Sequence, residues 1–258
     1  MYKVENYPQI RDHFYLKGRG AGASKALRGR VAVVTVYARR SPTDWGPAMQ
    51  AKLRSARQAA GELLVAEAAR YGVKLELKFY RAEVNLPADA DPKKLCYLHV
   101  KEAFQNRTME ELQAHYEKTL NVDEAVLLLA VESPGRSYAS MAWQGFQWKG
   151  ADLPEMSTVL LRPDTTAHHA CYLVAHELLH QFGAMDYYFP EEVATWAKRY
   201  FKDSIMGVGD GMAVDDLTAY LVGWKDTVSA ASWWFLKRTS HITAERFFQM
   251  LIAEKKKK

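Results

Sequence analysis

Cysteine is scarce in this chain: Cys96 and Cys171 are the only two in 258 residues. That excludes a disulfide-built scaffold and a metal site made of clustered thiolates. Two buried free thiols are the expected state, with a Cys96–Cys171 pair as the alternative, because cysteine readily fills core positions. Long apolar runs are missing as well. Nowhere do roughly 18 apolar residues follow one another, so no segment reads as a membrane span. The opening stretch "MYKVENYPQIRDHFYLKGRG" has no apolar region of the kind a Sec signal peptide needs. The chain is therefore expected to be soluble and cytoplasmic as synthesised, any export taking a specialised, non-Sec route. Nor is there a phosphate-cradling glycine frame: "VGDG" (208–211) fits neither a dinucleotide fingerprint nor a P-loop, and reads as a turn. A strong excess of one charge is absent too. The 35 Lys and Arg against 30 Asp and Glu leave a net charge of +5, too mild to argue for a nucleic-acid partner. The closing "KKKK" reads as a solvated tail.

What is present is β/α organisation. Nearly half the residues are apolar (48%), enough for a sizeable core. "VAVVTVYA" (31–38) is continuous, apolar and β-branched, as a strand buried on both faces would be. Residues 44–72 place Met49, Leu53, Ala56, Ala60, Leu64 and Ala68 three or four apart, which predicts a long amphipathic helix stopped by Gly72. "VKLELKFYRAEV" (73–84) alternates and predicts a strand with one wetter face. A helical insert is expected over 92–119, with Thr108 as its cap and Glu111 three residues on. Further strands are expected at 124–131, at 137–143 near a sheet edge, and at 157–162. A helix capped by Asp or Thr then runs to Gly183. The chain thus divides into a flexible basic arm (1–29), an N-terminal β/α subdomain (30–183) and a mostly helical C-terminal subdomain (184–258).

The chemistry concentrates in "HELLHQFGAMDYY" (176–188). On a helix, residues four apart share a face with Cβ atoms ~5–6 Å apart. His176 and His180 can therefore offer two imidazole nitrogens to one metal ion. Glu177 lies about 100° round the helix, near enough to reach a water on that metal. Gly183 can adopt a positive φ and end the helix sharply, which lets the chain double back and bring in Asp186 as a third ligand. Chance alone gives HExxH in a chain of this length about once in 100, and the added Gly and Asp lower that by roughly 250-fold. The reading taken is therefore one catalytic zinc ion held by His176, His180 and Asp186.

This stretch resembles the signature of the metzincin clan of zinc endopeptidases, HExxHxxGxx(H/D), and its Asp form resembles the snapalysin-like branch. "DSIMG" (203–207) is similar to the clan's Met-turn, which gives Met206 the place of the apolar floor under the metal. The resemblance implies a mixed five-stranded twisted sheet with backing helices and an active-site helix, followed by a mostly helical C-terminal subdomain, with the cleft between the two. It extends over about residues 30–224, although only 176–186 and 203–207 carry specific motifs. The chain departs from the pattern in having Asp186 where many members have a third histidine. It also has Val208 where some carry a zinc-facing tyrosine.

The expected activity is zinc-dependent endopeptidase hydrolysis, with Glu177 as general base and acid. Tyr187 and Tyr188 are candidates to stabilise an oxyanion or contact substrate. A peptide or protein substrate is expected to pair as an extended strand with a sheet edge. An inhibitor or immunity partner, narrow specificity, or delivery to a target cell would each keep such an enzyme harmless to its producer. Two alternatives compete. A different HExxH clan would use a downstream glutamate, here Glu191 or Glu192, as third ligand. A non-catalytic zinc-stabilised binding protein or toxin would keep the metal without the chemistry.

Overall fold

The computed structural model describes residues 1–89, 104, 105, 107, 109–140, 156–209 and 211–255. Five strands form one sheet: β1 (Gly29–Arg39), β2 (Leu75–Asn85), β3 (Glu124–Glu132), β4 (Tyr138–Ser140) and β5 (Met156–Leu161), in the order β2-β1-β3-β5-β4. The strands β2, β1, β3 and β5 run parallel, and only the edge strand β4 is antiparallel to its neighbour. A mixed five-stranded sheet was the expectation, and among the described residues it holds.

The composition of β1 explains its central place. Val31, Val33 and Tyr37 belong to one apolar core, whereas Val34, Val36 and Ala38 belong to a second on the opposite face. A strand covered on both faces has no solvent side, so its sequence does not alternate. The larger core lies under the long helix α2 (Pro47–Arg70) and the helix α4 (Ala167–Gln181), which pack on each other. Proline at the first helical position starts α2, and Gly72, with φ of 72°, follows its end. The smaller core is covered by α3 (Met109–Leu120) through Leu112. Thr108, residues 92–103 and residue 106 of the expected 92–119 insert lie outside the described residues, as do 141–143 of the expected edge strand.

The N-terminal segment corrects the expectation of a free basic arm. Residues Val4–Asn6 and Phe14–Gly18 form 3-10 turns around a short helix α1 (Pro8–Arg11). Ile10, Phe14, Tyr15 and Leu27 are buried in the main core, and Tyr2 exchanges backbone hydrogen bonds with Val228. The physical reason is apolar area: these side chains find partners in the distant C-terminal half, which carries helices α5 (Glu191–Tyr200), α6 (Asp216–Leu221), α7 (Ala230–Thr239) and α8 (Ala244–Lys255). Phe14, for example, packs on Phe247, and Tyr15 on Phe235.

No helix among the described residues is long and apolar enough to cross a membrane. Cys171 is a buried free thiol, and Cys96 lies outside the described residues.

Candidate metal centre

Helix α4 begins at Thr166, whose Oγ1 accepts a hydrogen bond from the His169 amide at 3.2 Å. From Val174 to Gln181 every residue is buried, so the helix runs into the protein and carries His176, Glu177 and His180 with it. It stops at Gly183, where φ is 96°. Two constraints meet at this glycine. The positive φ favours a residue without Cβ, and a Cβ there would also collide with the backbone of Gly18. The packed N-terminal segment thus seals the turn that swings the chain back toward the helix. Gly183→Ala is expected to destabilise the fold by at least about 2 kcal/mol, seen as a lower urea midpoint. A midpoint equal to that of the native protein would show that neither constraint operates.

The turn delivers Asp186 to the two histidines. The imidazole Nε2 atoms of His176 and His180 lie 3.2 Å apart. Oδ1 of Asp186 lies 3.1 Å from the first and 3.3 Å from the second. All three side chains are held by groups behind them. The Nδ1 of His176 donates to the carbonyl of Ile205 at 2.8 Å, and the Nδ1 of His180 to the carbonyl of Ala184 at 2.8 Å. A carbonyl can only accept, so each Nδ1 bears the hydrogen and each neutral imidazole turns its Nε2 lone pair inward. Atoms of this kind converge at such distances only with a positive charge among them, either a proton on an imidazole Nε2 facing Asp186 or a metal ion. The spacing suits a metal ion: a tetrahedral zinc with bonds of ~2.0–2.1 Å has ligand atoms about 3.3 Å apart. This buried group could hold a metal ion, and among the described residues it is the one cluster of three or more such side chains.

Matched against known protein families and against curated proteins, the chain finds no counterpart. Its functional reading rests on the geometry of the site.

The charges within the site are tightly coupled. Burial by itself would raise the Asp186 carboxyl, but the imidazoles of His180 and His176 outweigh it and hold it well below the usual carboxylate range. Burial likewise opposes a charge on His180, and Asp186 overcomes it, so that imidazole is raised. Glu177 is different. Burial pushes its carboxyl up to about 8, with His176 and Arg136 pulling down and Asp186 pushing up. Its Oε2 is buried and finds no hydrogen-bond donor.

Two neighbouring tyrosines fare differently. Tyr187 is fully buried, donates its amide to the carbonyl of Met206 at 2.8 Å, and shares a hydrogen bond of 3.0 Å with the Thr218 hydroxyl. It is a core residue, which removes it as an oxyanion or substrate group. Tyr188 stays at the site, but its hydroxyl donates to Oδ2 of Asp186. It orients the carboxylate, and that donor is committed. Tyr188→Phe is expected to weaken zinc binding by about 10- to 100-fold, measured by competition with a chromophoric chelator. Unchanged affinity would mean that Asp186 needs no such support.

Met206 is fully buried in the main core, one residue after the carbonyl that fixes His176. The turn that carries it is tied down by Ser204, which accepts from the Met206 amide at 3.1 Å and donates to Asp215. Asp215 in turn caps α6 through the amides of Leu217 and Thr218. This helix cap is thus also the anchor of the turn that carries Met206. Glu191 and Glu192 are exposed at the start of α5, and Glu192 pairs with His241 at 3.0 Å. Neither approaches the histidines, so the downstream-glutamate alternative is set aside. His169 reaches His176 only through the ring of Tyr172.

Proposed function

We propose that this protein is a zinc-dependent endopeptidase of metzincin type, with His176, His180 and Asp186 as metal ligands and Glu177 as the proton-transferring group. One observation carries the reading furthest. Glu177 is buried, its Oε2 has no hydrogen-bond partner among the described residues, and it feels the charges of both His176 and Asp186. A buried polar atom without a partner costs stability and is kept where function needs it. A purely structural zinc site gives such a group no task, which weighs against the binding-protein reading.

A zinc ion held by the three side chains would lower the pKa of a water toward ~7 and polarise the peptide carbonyl. Glu177 removes a proton from the attacking water. A desolvated carboxylate holds that proton more firmly than one in bulk water, and passes it to the departing amine. Ile205 and Ala184 keep the imidazoles in one tautomer throughout, through their main-chain carbonyls. The edge strand β4 pairs with β5 among the described residues, and an extended substrate would pair as a further strand along a sheet edge.

A diverse peptide library, incubated with the native protein and with Glu177→Ala and read by mass spectrometry, tests the proposal. Cuts made by the native protein and missing from the variant establish the activity and its sequence preference. If well-folded, zinc-loaded protein makes no cut, the peptidase reading is withdrawn and only the metal site stands.

A further inference from the structure

The loop between β3 and β4 carries a cation that the mechanism above does not use. Arg136 is exposed and, among the described residues, pairs with no carboxylate. Its guanidinium carbon lies 4.5 Å from the centroid of the Tyr188 ring. That ring stacks against His176, with 6.4 Å between centroids, and its hydroxyl holds Asp186. Arg136 is therefore one aromatic ring away from two of the three metal-binding side chains. It also directly precedes the edge strand, by two residues.

The loop presents this side chain from a fixed position. The Ser133 amide donates to the carbonyl of Leu161 at 3.0 Å, and the Ser137 hydroxyl accepts from the Leu160 amide at 3.1 Å. Both ends are thus pinned to β5. A guanidinium lying on an aromatic face keeps its planar fork of N–H donors free, and that fork matches a carboxylate in two parallel hydrogen bonds. Electrostatics sharpens the point. The field of Arg136 reaches Glu177, His180 and Tyr188. A cation so placed works against a divalent metal in the same site. Shielding the Tyr188 ring alone would be served equally well by an uncharged side chain. A positive charge held there despite that repulsion fits a negatively charged ligand group arriving with the substrate.

We propose that Arg136 forms a carboxylate-binding subsite beside the metal centre, selecting peptides with an acidic group close to the scissile bond. The proposal rests on the peptidase reading of the site. The acidic group is either an Asp or Glu side chain or a free C-terminal carboxylate, and the test separates these sources.

Matched peptides carrying an internal acid, an internal amide in its place, or neither would be assayed with free and with amidated C-termini. The native protein is expected to cleave acidic peptides about 10- to 100-fold better in kcat/KM than their neutral partners, the worth of one charge-assisted pair. Arg136→Met abolishes that ratio, and Arg136→Glu shifts the preference to peptides with Lys or Arg at the same place. Loss of the ratio on C-terminal amidation assigns the subsite to the terminal carboxylate; its survival assigns it to a side chain. An acid preference that persists in Arg136→Glu overturns the proposal, as does Glu177-dependent cleavage with no acid preference. Should the native protein cleave nothing, binding of the same labelled peptides to zinc-loaded Glu177→Ala still decides. Acid-selective binding that Arg136→Glu reverses supports the subsite, and its absence overturns it. Zinc affinity measured in each Arg136 variant guards against a merely structural effect, because loss of Tyr188 packing would weaken metal binding without reversing charge preference.

Discussion

Replacing Glu177 by alanine is expected to lower kcat/KM for peptide hydrolysis by about 10²- to 10⁴-fold, the range for removal of a positioned general acid–base group. The same change is expected to leave stability within about 1 kcal/mol of the native protein. The two halves of the prediction come from one observation. Glu177 is buried, its Oε2 accepts no hydrogen bond, and burial pushes its carboxyl up to about 8. Removing a buried carboxyl whose Oε2 has no partner among the described residues relieves its desolvation cost, which offsets the cavity alanine leaves. The backbone of Glu177 still serves, since its carbonyl accepts from Ser157 on β5, and alanine retains that bond. Steady-state kinetics and urea denaturation on the two proteins, both loaded with zinc, provide the check. A variant that unfolds several kcal/mol more easily would assign Glu177 a structural role and remove the argument for catalysis. A variant that keeps full activity would move the proton transfer to another group.

Much of this architecture was legible because local signals agreed with tertiary placement. The run 31–38 is apolar at every step but Thr35, and β1 is buried on both faces. The spacing of Met49, Leu53, Ala56, Ala60, Leu64 and Ala68 was visible as helix and is what α2 buries. The cluster of His176, His180 and Asp186 was legible because helix geometry fixes the separation of the two histidines, and a glycine breaker allows the return of Asp186. What escaped the sequence was long-range. Residues 1–29 form turns too short to show a period, and Ile10 and Tyr15 are buried by segments about 200 residues away. Tyr187 and Tyr188 are adjacent and chemically identical, yet one enters the core and the other faces Asp186. Nothing in the sequence separates them. The carbonyls of Ile205 and Ala184 orient both imidazoles, and main-chain atoms leave no mark in a sequence. Arg136 was equally silent, because its meaning comes from the ring it rests on.

Removing the metal is expected to have the largest effect on stability. The Nε2 atoms of His176 and His180 and Oδ1 of Asp186 lie within 3.1–3.3 Å of each other, in a site where His176 and His180 are each 4% exposed. The core and the main-chain carbonyls already hold the three groups at that spacing, so a metal ion binds without rearranging them. Metal present at 1,000 times its dissociation constant would stabilise the folded state by about 4 kcal/mol. For a chain of this size each kcal/mol moves Tm by about 2–4 °C. Calorimetric scans with zinc and with excess chelator are therefore expected to differ by about 8–16 °C. Asp186→Ala isolates the site from general effects of chelation, since it leaves both histidines and removes the third acceptor. Its zinc-dependent shift is expected to shrink to a small fraction of the native one. Its metal-free form also loses the contacts of Asp186 with both imidazoles and with Tyr188, and is expected to melt at or below the metal-free native protein. Superimposable scans of the native protein with zinc and with chelator would mean that the cluster holds no zinc, and the peptidase proposal would fall with it.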